Sequence, residues 1–273
     1  MLQCGMVQIE SLRLARRSSC RAWLSLAVVI LSIWHSLSAA ALVGGAATVR
    51  DSGVGRHIVM IVGTRGNLCT GTALARDLVL TAAHCVAPAA TYRVITPDVP
   101  SGFAIRQIAV HPRYSRQHYV SGTVTADVAL IKLATPLPGN VIPATLGTAG
   151  NVAAGDRFVI AGFGTTAHRS DDGVGTPRAA SLIATGKPGT LQIRLADPEA
   201  RNARAGLGAC TGDSGGPVFQ EAAGPLAVIG VVSWSTGPVS SDGCGGLTGV
   251  TPLALYRGWI VETAGKMGSA IWP

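Results

Sequence analysis

The chain has 273 residues and a net charge of +8, with 48% hydrophobic residues but only 13% charged. That length suits one large domain or two small ones, and so little charge beside an ordinary apolar share excludes a disordered chain and a coiled coil. The basic residues are scattered, without the dense Lys/Arg block interleaved with aromatics that a nucleic-acid face needs, so no nucleic-acid partner is expected.

The first predicted element is a targeting segment. Residues 13–21 (RLARRSSCR) are basic, Ala22 to Trp34 carries no charge, and Ser36 to Ala41 is mostly small residues. A basic region, a short apolar run and an Ala-x-Ala end predict a secretory signal peptide over residues 1–41. The apolar run falls short of the roughly 20 residues that span a bilayer. The expectation is therefore a secreted or periplasmic protein; the alternative is an uncleaved anchor over residues 22–37, which would be its only tie to a membrane. Taking four arginines and one glutamate of this segment from totals of 22 basic and 14 acidic leaves 18 against 13, a net +5. Cys4 and Cys20 also fall in the segment. Cys69, Cys85, Cys210 and Cys244 remain, an even set with three possible pairings and no C-x-x-C spacing. Disulfides are the expected state in an exported chain, and no metal or other cofactor is implied.

Beyond the segment, short apolar runs rich in β-branched residues recur between Gly, Pro, Asn and Asp. His57–Val62, Leu78–Thr81, Tyr92–Thr96, Ala104–Val110, Val128–Leu133, Phe158–Ala161, Leu191–Leu195 and Ala227–Trp234 read as strands. Helical periodicity appears only over Pro252–Gly265, where Leu253, Tyr256, Ile260 and Ala264 share a face. Many short strands predict an all-β barrel or sandwich architecture, with a boundary near the turn-rich stretch Thr135–Gly155.

Three segments carry chemistry: Thr81-Ala-Ala-His84-Cys85, Asp127-Val-Ala-Leu-Ile-Lys-Leu133 and Gly212-Asp213-Ser214-Gly215-Gly216-Pro217. Acyl transfer needs a nucleophile, a base to take its proton, and an acid to hold the base in one tautomer; Ser, His and Asp supply these. Gly212–Gly216 also fits G-x-S-x-G, but that hydrolase elbow requires a histidine after the serine, and the last histidine is His168. Asp51 and Asp77 precede His84 but sit in no comparable motif. The order His84, Asp127, Ser214 remains, the chymotrypsin order. His57, His111, His118 and His168 have no metal spacing and read as packing or surface residues, and Asp98, Asp171, Asp172 and Asp242 as solvated loop residues.

With these residues in place the chain resembles the trypsin/chymotrypsin-like serine endopeptidases over about residues 42–265. Leu42-Val-Gly-Gly45, TAAHC, Val110-His-Pro112, DVALIKL, Gly162-Phe-Gly164, GDSGGP, Ser233-Trp234 and the closing helix occur in family order. The resemblance implies two six-stranded antiparallel β-barrels, about 42–150 and 151–250, a C-terminal helix over about 252–265 and a tail at 266–273. It implies Ser214 as nucleophile, His84 as base, Asp127 as its orienting acid, and an oxyanion hole from the N–H groups of Gly212 and Ser214. It pairs Cys69 with Cys85 and Cys210 with Cys244. Ser233 would support Asp127, and the Ser233–Ser235 backbone would pair with an extended protein or peptide substrate. Gly208, Ser233, Trp234, Ser235 and Gly246 would line the specificity pocket. A freed amino terminus at Leu42 would pair with Asp213. Tryptic members carry an Asp where Gly208 stands, so a small or apolar residue is expected before the scissile bond, with Asp242 as the one nearby source of charge. The rival reading is a catalytically silent, protease-like binding protein.

Overall fold

The computed structural model describes residues 42–43, 46–47, 53–88, 90–147, 152–185, 191–220 and 226–271, all within the unit Ala39–Pro273. The signal segment expected over residues 1–41 lies outside them. A short strand β1 (Ala46–Ala47) precedes the first barrel, which is built from β2 (Ile58–Gly63), β3 (Leu68–Ala75), β4 (Leu78–Thr81), β5 (Tyr92–Thr96), β6 (Val99–Val110) and β7 (Ala129–Leu133). These strands close in the order β2-β3-β4-β7-β6-β5. Alternation decides which way each side chain faces. On β4, Val79 fills the barrel interior with Val59, Ile61, Val94 and Ile131. Its neighbours Leu78 and Leu80 turn outward into a second cluster with Leu130, Phe219 and the C-terminal helix.

The second barrel uses β9 (Arg157–Gly162), β10 (Arg178–Ala184), β11 (Ile193–Ala196), β12 (Pro217–Gln220), β13 (Ala227–Ser235) and β14 (Thr248–Pro252). Pairing runs β10-β11-β14-β13-β12-β9 and closes between β9 and β10. Strand β1 adds to β10, and β8 (Thr145–Leu146) pairs parallel with β13. Phe158, Ile160, Leu182, Leu195, Val218 and Val250 fill the interior. The molecule is thus two six-stranded antiparallel barrels followed by a helix.

Two short helices, α1 (Ala83–Val86) and α2 (Arg116–Val120), precede the closing helix α3 (Arg257–Lys266). The helix begins later than Pro252. Pro252 completes β14 opposite Gly230, Leu253–Leu255 forms a single 3-10 turn, and Tyr256 breaks the run at φ −120°. The expected apolar face is present: Leu253, Tyr256, Ile260 and Ala264 are all buried in the cluster beneath the first barrel. Buried Lys132 of β7 pins the end of this helix. Its Nζ donates to Asp77 Oδ2 (2.5 Å), Ser269 Oγ (2.7 Å) and the Gly268 carbonyl (3.3 Å). No helix among the described residues is long and apolar enough to cross a membrane.

Candidate active site

Strand pairing brings the first two candidate residues together. Thr81 of β4 lies opposite Ala129 of β7. His84 follows Thr81 on α1 and Asp127 precedes Ala129, so both project from the same end of the barrel. Asp127 is 1% exposed, and its carboxylate accepts three hydrogen bonds. Oδ1 takes the His84 backbone N–H (2.9 Å), and Oδ2 takes His84 Nδ1 (2.8 Å) and Ser233 Oγ (2.5 Å). Donation from Nδ1 leaves the lone pair of neutral His84 on Nε2, facing the cleft. On its other side the imidazole is stacked by Tyr119 of α2, with centroids 4.4 Å apart and planes at 14°. The Tyr119 hydroxyl donates to the Ser233 carbonyl (3.1 Å), and burial pushes its pKa up.

Ser214 and His84 line one cleft of about 780 Å³, with Gly212, Thr165, Trp234 and Ser235 also in its walls. Among the described residues Ser214 Oγ makes no hydrogen bond; such contacts commonly tighten only in the substrate complex. The turn bearing Ser214 is held from both sides. Thr70 of β3 donates its backbone N–H to the Ser214 carbonyl (2.8 Å) and its Oγ1 to the Gly212 carbonyl (2.8 Å). Thr165 donates its backbone N–H to the Thr211 carbonyl (2.8 Å). A trans peptide points its N–H opposite its carbonyl, so anchoring Thr211 O directs the Gly212 N–H away from Thr165. Neither the Gly212 nor the Ser214 N–H is donated to an acceptor among the described residues. Gly212 takes φ +93°, a region costly for other residues. Gly215 lets the turn press on the first barrel, since a Cβ there would stand 2.1 Å from Thr81 Oγ1.

Behind this turn Asp213 is buried. Burial pushes its carboxyl up to about 7, against the lowering effect of bonds from the Cys210 and Gly164 N–H groups. Leu42 is also buried, in the interior of the second barrel, and Val43 bridges to Gly208.

Disulfides join Cys69 to Cys85 and Cys210 to Cys244. The sulfurs of the first lie near His84, but bridged sulfurs are not the thiolate ligands a metal takes. Of the expected pocket residues, Trp234 and Ser235 line the cleft, while Ser233 lines a neighbouring cavity. Gly208 and Gly246 are buried and line neither. A Cβ on Gly208 would meet the Gly245 backbone at 3.2 Å, and one on Gly246 would stand 2.0 Å from the Gly237 carbonyl. The segment 236–243 packs against Gly246. The Gly246 N–H donates to the Thr236 carbonyl (2.8 Å), and the Val239 N–H donates to the Asn202 carbonyl (2.8 Å). Asp242 is exposed and faces Arg169 and His168, each at 3.4 Å. Asp197 braces the loop that leads to Gly208, accepting the N–H groups of Glu199, Ala200 and Leu207. Thr70, Tyr119, Thr165 and Asp197 are not singled out by sequence reasoning. Each acts through a contact distant in sequence or through a backbone partner, and none sits in a recognisable motif.

Comparison with known proteins agrees with this architecture. The Trypsin family model matches residues 42–260. A "Trypsin-like protease" of Streptomyces glaucescens is 31% identical over 204 residues, 68% of this chain and 72% of that protein. "Chymotrypsin-like elastase family member 1" of Rattus norvegicus is 28% identical over 245 residues, covering 81% and 88%. Among solved structures, human heparin binding protein superposes with a TM-score of 0.64 at 23% identity, covering 84% of this chain and 99% of that one, a likeness of fold. The chain belongs to the trypsin family and is a serine-type endopeptidase acting on proteins or peptides.

Proposed function

We propose that the protein is exported and cleaves peptide bonds through an acyl-enzyme on Ser214. The observation that carries this reading is the buried Asp127 carboxylate, which holds His84 by its backbone and by Nδ1 while Ser233 holds the carboxylate. His84 Nε2 takes the proton of Ser214 Oγ as the oxygen bonds to the scissile carbonyl carbon. The carbonyl oxygen becomes an oxyanion before the N–H groups of Gly212 and Ser214. His84 then gives its proton to the leaving amine, and the C–N bond breaks. Water, deprotonated by the same nitrogen, then bonds to the acyl carbon, the bond to Ser214 Oγ breaks, and His84 returns the proton to Oγ as the acid leaves. Asp127 stabilises the imidazolium through its bond to Nδ1.

A small or apolar residue is expected before the scissile bond. Gly208 brings no charge, and Asp242 is exposed and faces Arg169 and His168. A buried Arg or Lys there would lack a partner, which is strongly unfavourable. Removal of residues 1–41 after Ala41 would free the Leu42 amine to pair with Asp213.

A serine-directed fluorophosphonate tests the reaction class: the matured protein is expected to be labelled at Ser214, and a protein that stays unlabelled while correctly disulfide-bonded is a silent binding protein. Matched peptide esters test the pocket, with Ala and Val expected to exceed Arg. Amino-terminal sequencing of active protein tests processing; full activity from a chain beginning well before Leu42 rules out the Leu42–Asp213 pairing.

A further inference from the structure

A second cavity, of about 440 Å³, opens beside the cleft, and Tyr119 and Trp234 line both. Sheet register builds its floor. Arg194 of β11 pairs with Gly249 of β14, and Gly249 with Trp234 of β13. Directly paired residues of neighbouring strands face the same side of a sheet, so these three positions form one row. Gly249 has no side chain, and the Trp234 indole takes the vacated place: a Cβ on Gly249 would stand 1.9 Å from an indole carbon. The indole is therefore laid across β14 towards Arg194. Gln192, two residues before Arg194, also lines the cavity, and Tyr119 and Val120 of α2 form a wall from the first barrel. The lining thus offers an aromatic platform, an amide, threonine hydroxyls and one charge. Arg194 is exposed, and among the described residues it forms no ion pair and no carboxylate lines the cavity.

We propose that this cavity receives an acidic side chain, Asp or Glu, of the substrate, on the amino-terminal side of the scissile bond, with the Arg194 guanidinium as its partner. The proposal rests on the endopeptidase reading above. The location follows from Ser233 and Trp234, which belong both to the cavity and to the edge on which the substrate strand is expected to lie. A strand advances about 3.3 Å per residue and alternates its faces, so the occupant is a side chain a few residues upstream of the bond. The aromatic floor takes its methylenes, and Arg194 and Gln192 take its carboxylate. Because Arg194 meets solvent, the selectivity is modest and falls with salt.

The test compares peptides identical at the scissile bond and carrying Glu, Gln, Ala or Lys at the third and fourth positions before it. With the matured protein, kcat/KM is expected to favour Glu over Lys by roughly three- to tenfold at low salt, and less in 1 M salt. Arg194→Gln should level the series and Arg194→Glu should invert it. A small phosphonate that cannot reach the cavity should label all three proteins at one rate, which checks that the variants are folded. Equal use of Glu and Lys by the unsubstituted protein, or a Glu preference that survives in Arg194→Gln, overturns the acidic site and leaves the endopeptidase reading standing. Failure of the small phosphonate to label Ser214 overturns that reading, and the acidic site with it.

Discussion

In the first barrel, every described residue with a left-handed φ is a glycine, Gly66, Gly102 and Gly122 among them, whereas the second barrel carries Arg169, Arg201, Asn202, Val239 and Ser240 in that region. Val239 is the costliest of these, because a β-branched residue at φ +52° crowds its own backbone; such conformations cost on the order of 1–3 kcal/mol and persist only where neighbours over-determine them. The difference follows from how each barrel presents its groups. His84 and Asp127 stand at the ends of two paired strands, so a regular ladder places them. Ser214 and the expected pocket residues stand on loops, which are held by a few individual residues: Asp197 under one loop, Thr70 and Thr165 on another, and the Cys210–Cys244 bridge between two. His84 and Asp127 thus inherit their geometry from the fold, whereas the geometry of Ser214 depends on individual side chains.

The largest expected effect ignores this distinction and so calibrates it. Ser214→Ala and His84→Ala should each lower kcat by about 10⁴–10⁶-fold, leaving binding and the oxyanion hole. Both variants should keep their disulfides and melting temperature, because neither side chain supports the core. A Ser214→Ala preparation with near-native peptidase turnover would show that the cleft is not the active site.

Asp213 sharpens the comparison, because it is a buried charge on the loop side. Its carboxyl is pushed up to about 7 by burial, above the ordinary value near 4. Between those values the folded chain binds more protons than the unfolded one, so Asp213 costs increasing stability as pH rises from about 4 to 7. A freed Leu42 ammonium should remove that cost. Urea unfolding is therefore expected to show the precursor losing stability across this window more steeply than the matured chain. Asp213→Asn should cut matured activity by about 10²–10³-fold, the order of a lost oxyanion donor, while flattening the precursor's profile. Identical profiles for precursor and matured chain would remove the ion pair from the account.

Thr70 tests whether one hydroxyl from the first barrel governs the second. Thr70→Val keeps the strand's shape but leaves the Gly212 carbonyl and the Phe163 N–H without their side-chain partner. Turnover is expected to fall by roughly 10–30-fold with KM nearly constant, and Thr70→Ser to recover most of it. A change confined to KM, or no rescue by serine, would mean that Thr70 serves packing alone.

The same contrast governs what could be read in advance. Leu78–Thr81 and Tyr92–Thr96 have the bounds the sequence predicts, because alternation and turn residues are local signals. The helix start was misplaced because Pro252 is claimed by pairing with Gly230, a partner distant in sequence. The turn bearing Ser214 was legible through its glycines. Burial of Gly208 and Gly246 was not, since it depends on the close approach of Gly245 to the one and of Gly237 and Asn202 to the other. Tyr119 was invisible for the same reason: only the folded path of residues 113–125 lays its ring on His84.

The smallest effect concerns the part of the first barrel that does rely on a polar contact. Burial would raise the Asp77 carboxyl, but hydrogen bonds from Lys132 and Ser269 and the lysine's charge outweigh it and hold the group below its ordinary value. A depressed carboxyl stabilises the fold above its unfolded value, near 4, and loses that contribution as pH falls through the folded value. Lys132→Met removes the cation and leaves Asp77, which keeps Ser269 Oγ and a third of its side-chain surface in water. The loss should therefore be less than the 3–5 kcal/mol typical of a broken, fully buried pair. About 1–2 kcal/mol is expected, or about 3–6 °C in Tm for a domain of this size. The diagnostic is the acid limb: below about pH 4 the difference between the two proteins should shrink, because protonated Asp77 no longer rewards the lysine. Activity at pH 7 should be unchanged, since the clasp ties the C-terminal helix to the side of the barrel built from Asp77 and β7, away from the cleft walls. A Tm difference that persists undiminished in acid would assign the effect to packing of the lysine stem rather than to its charge.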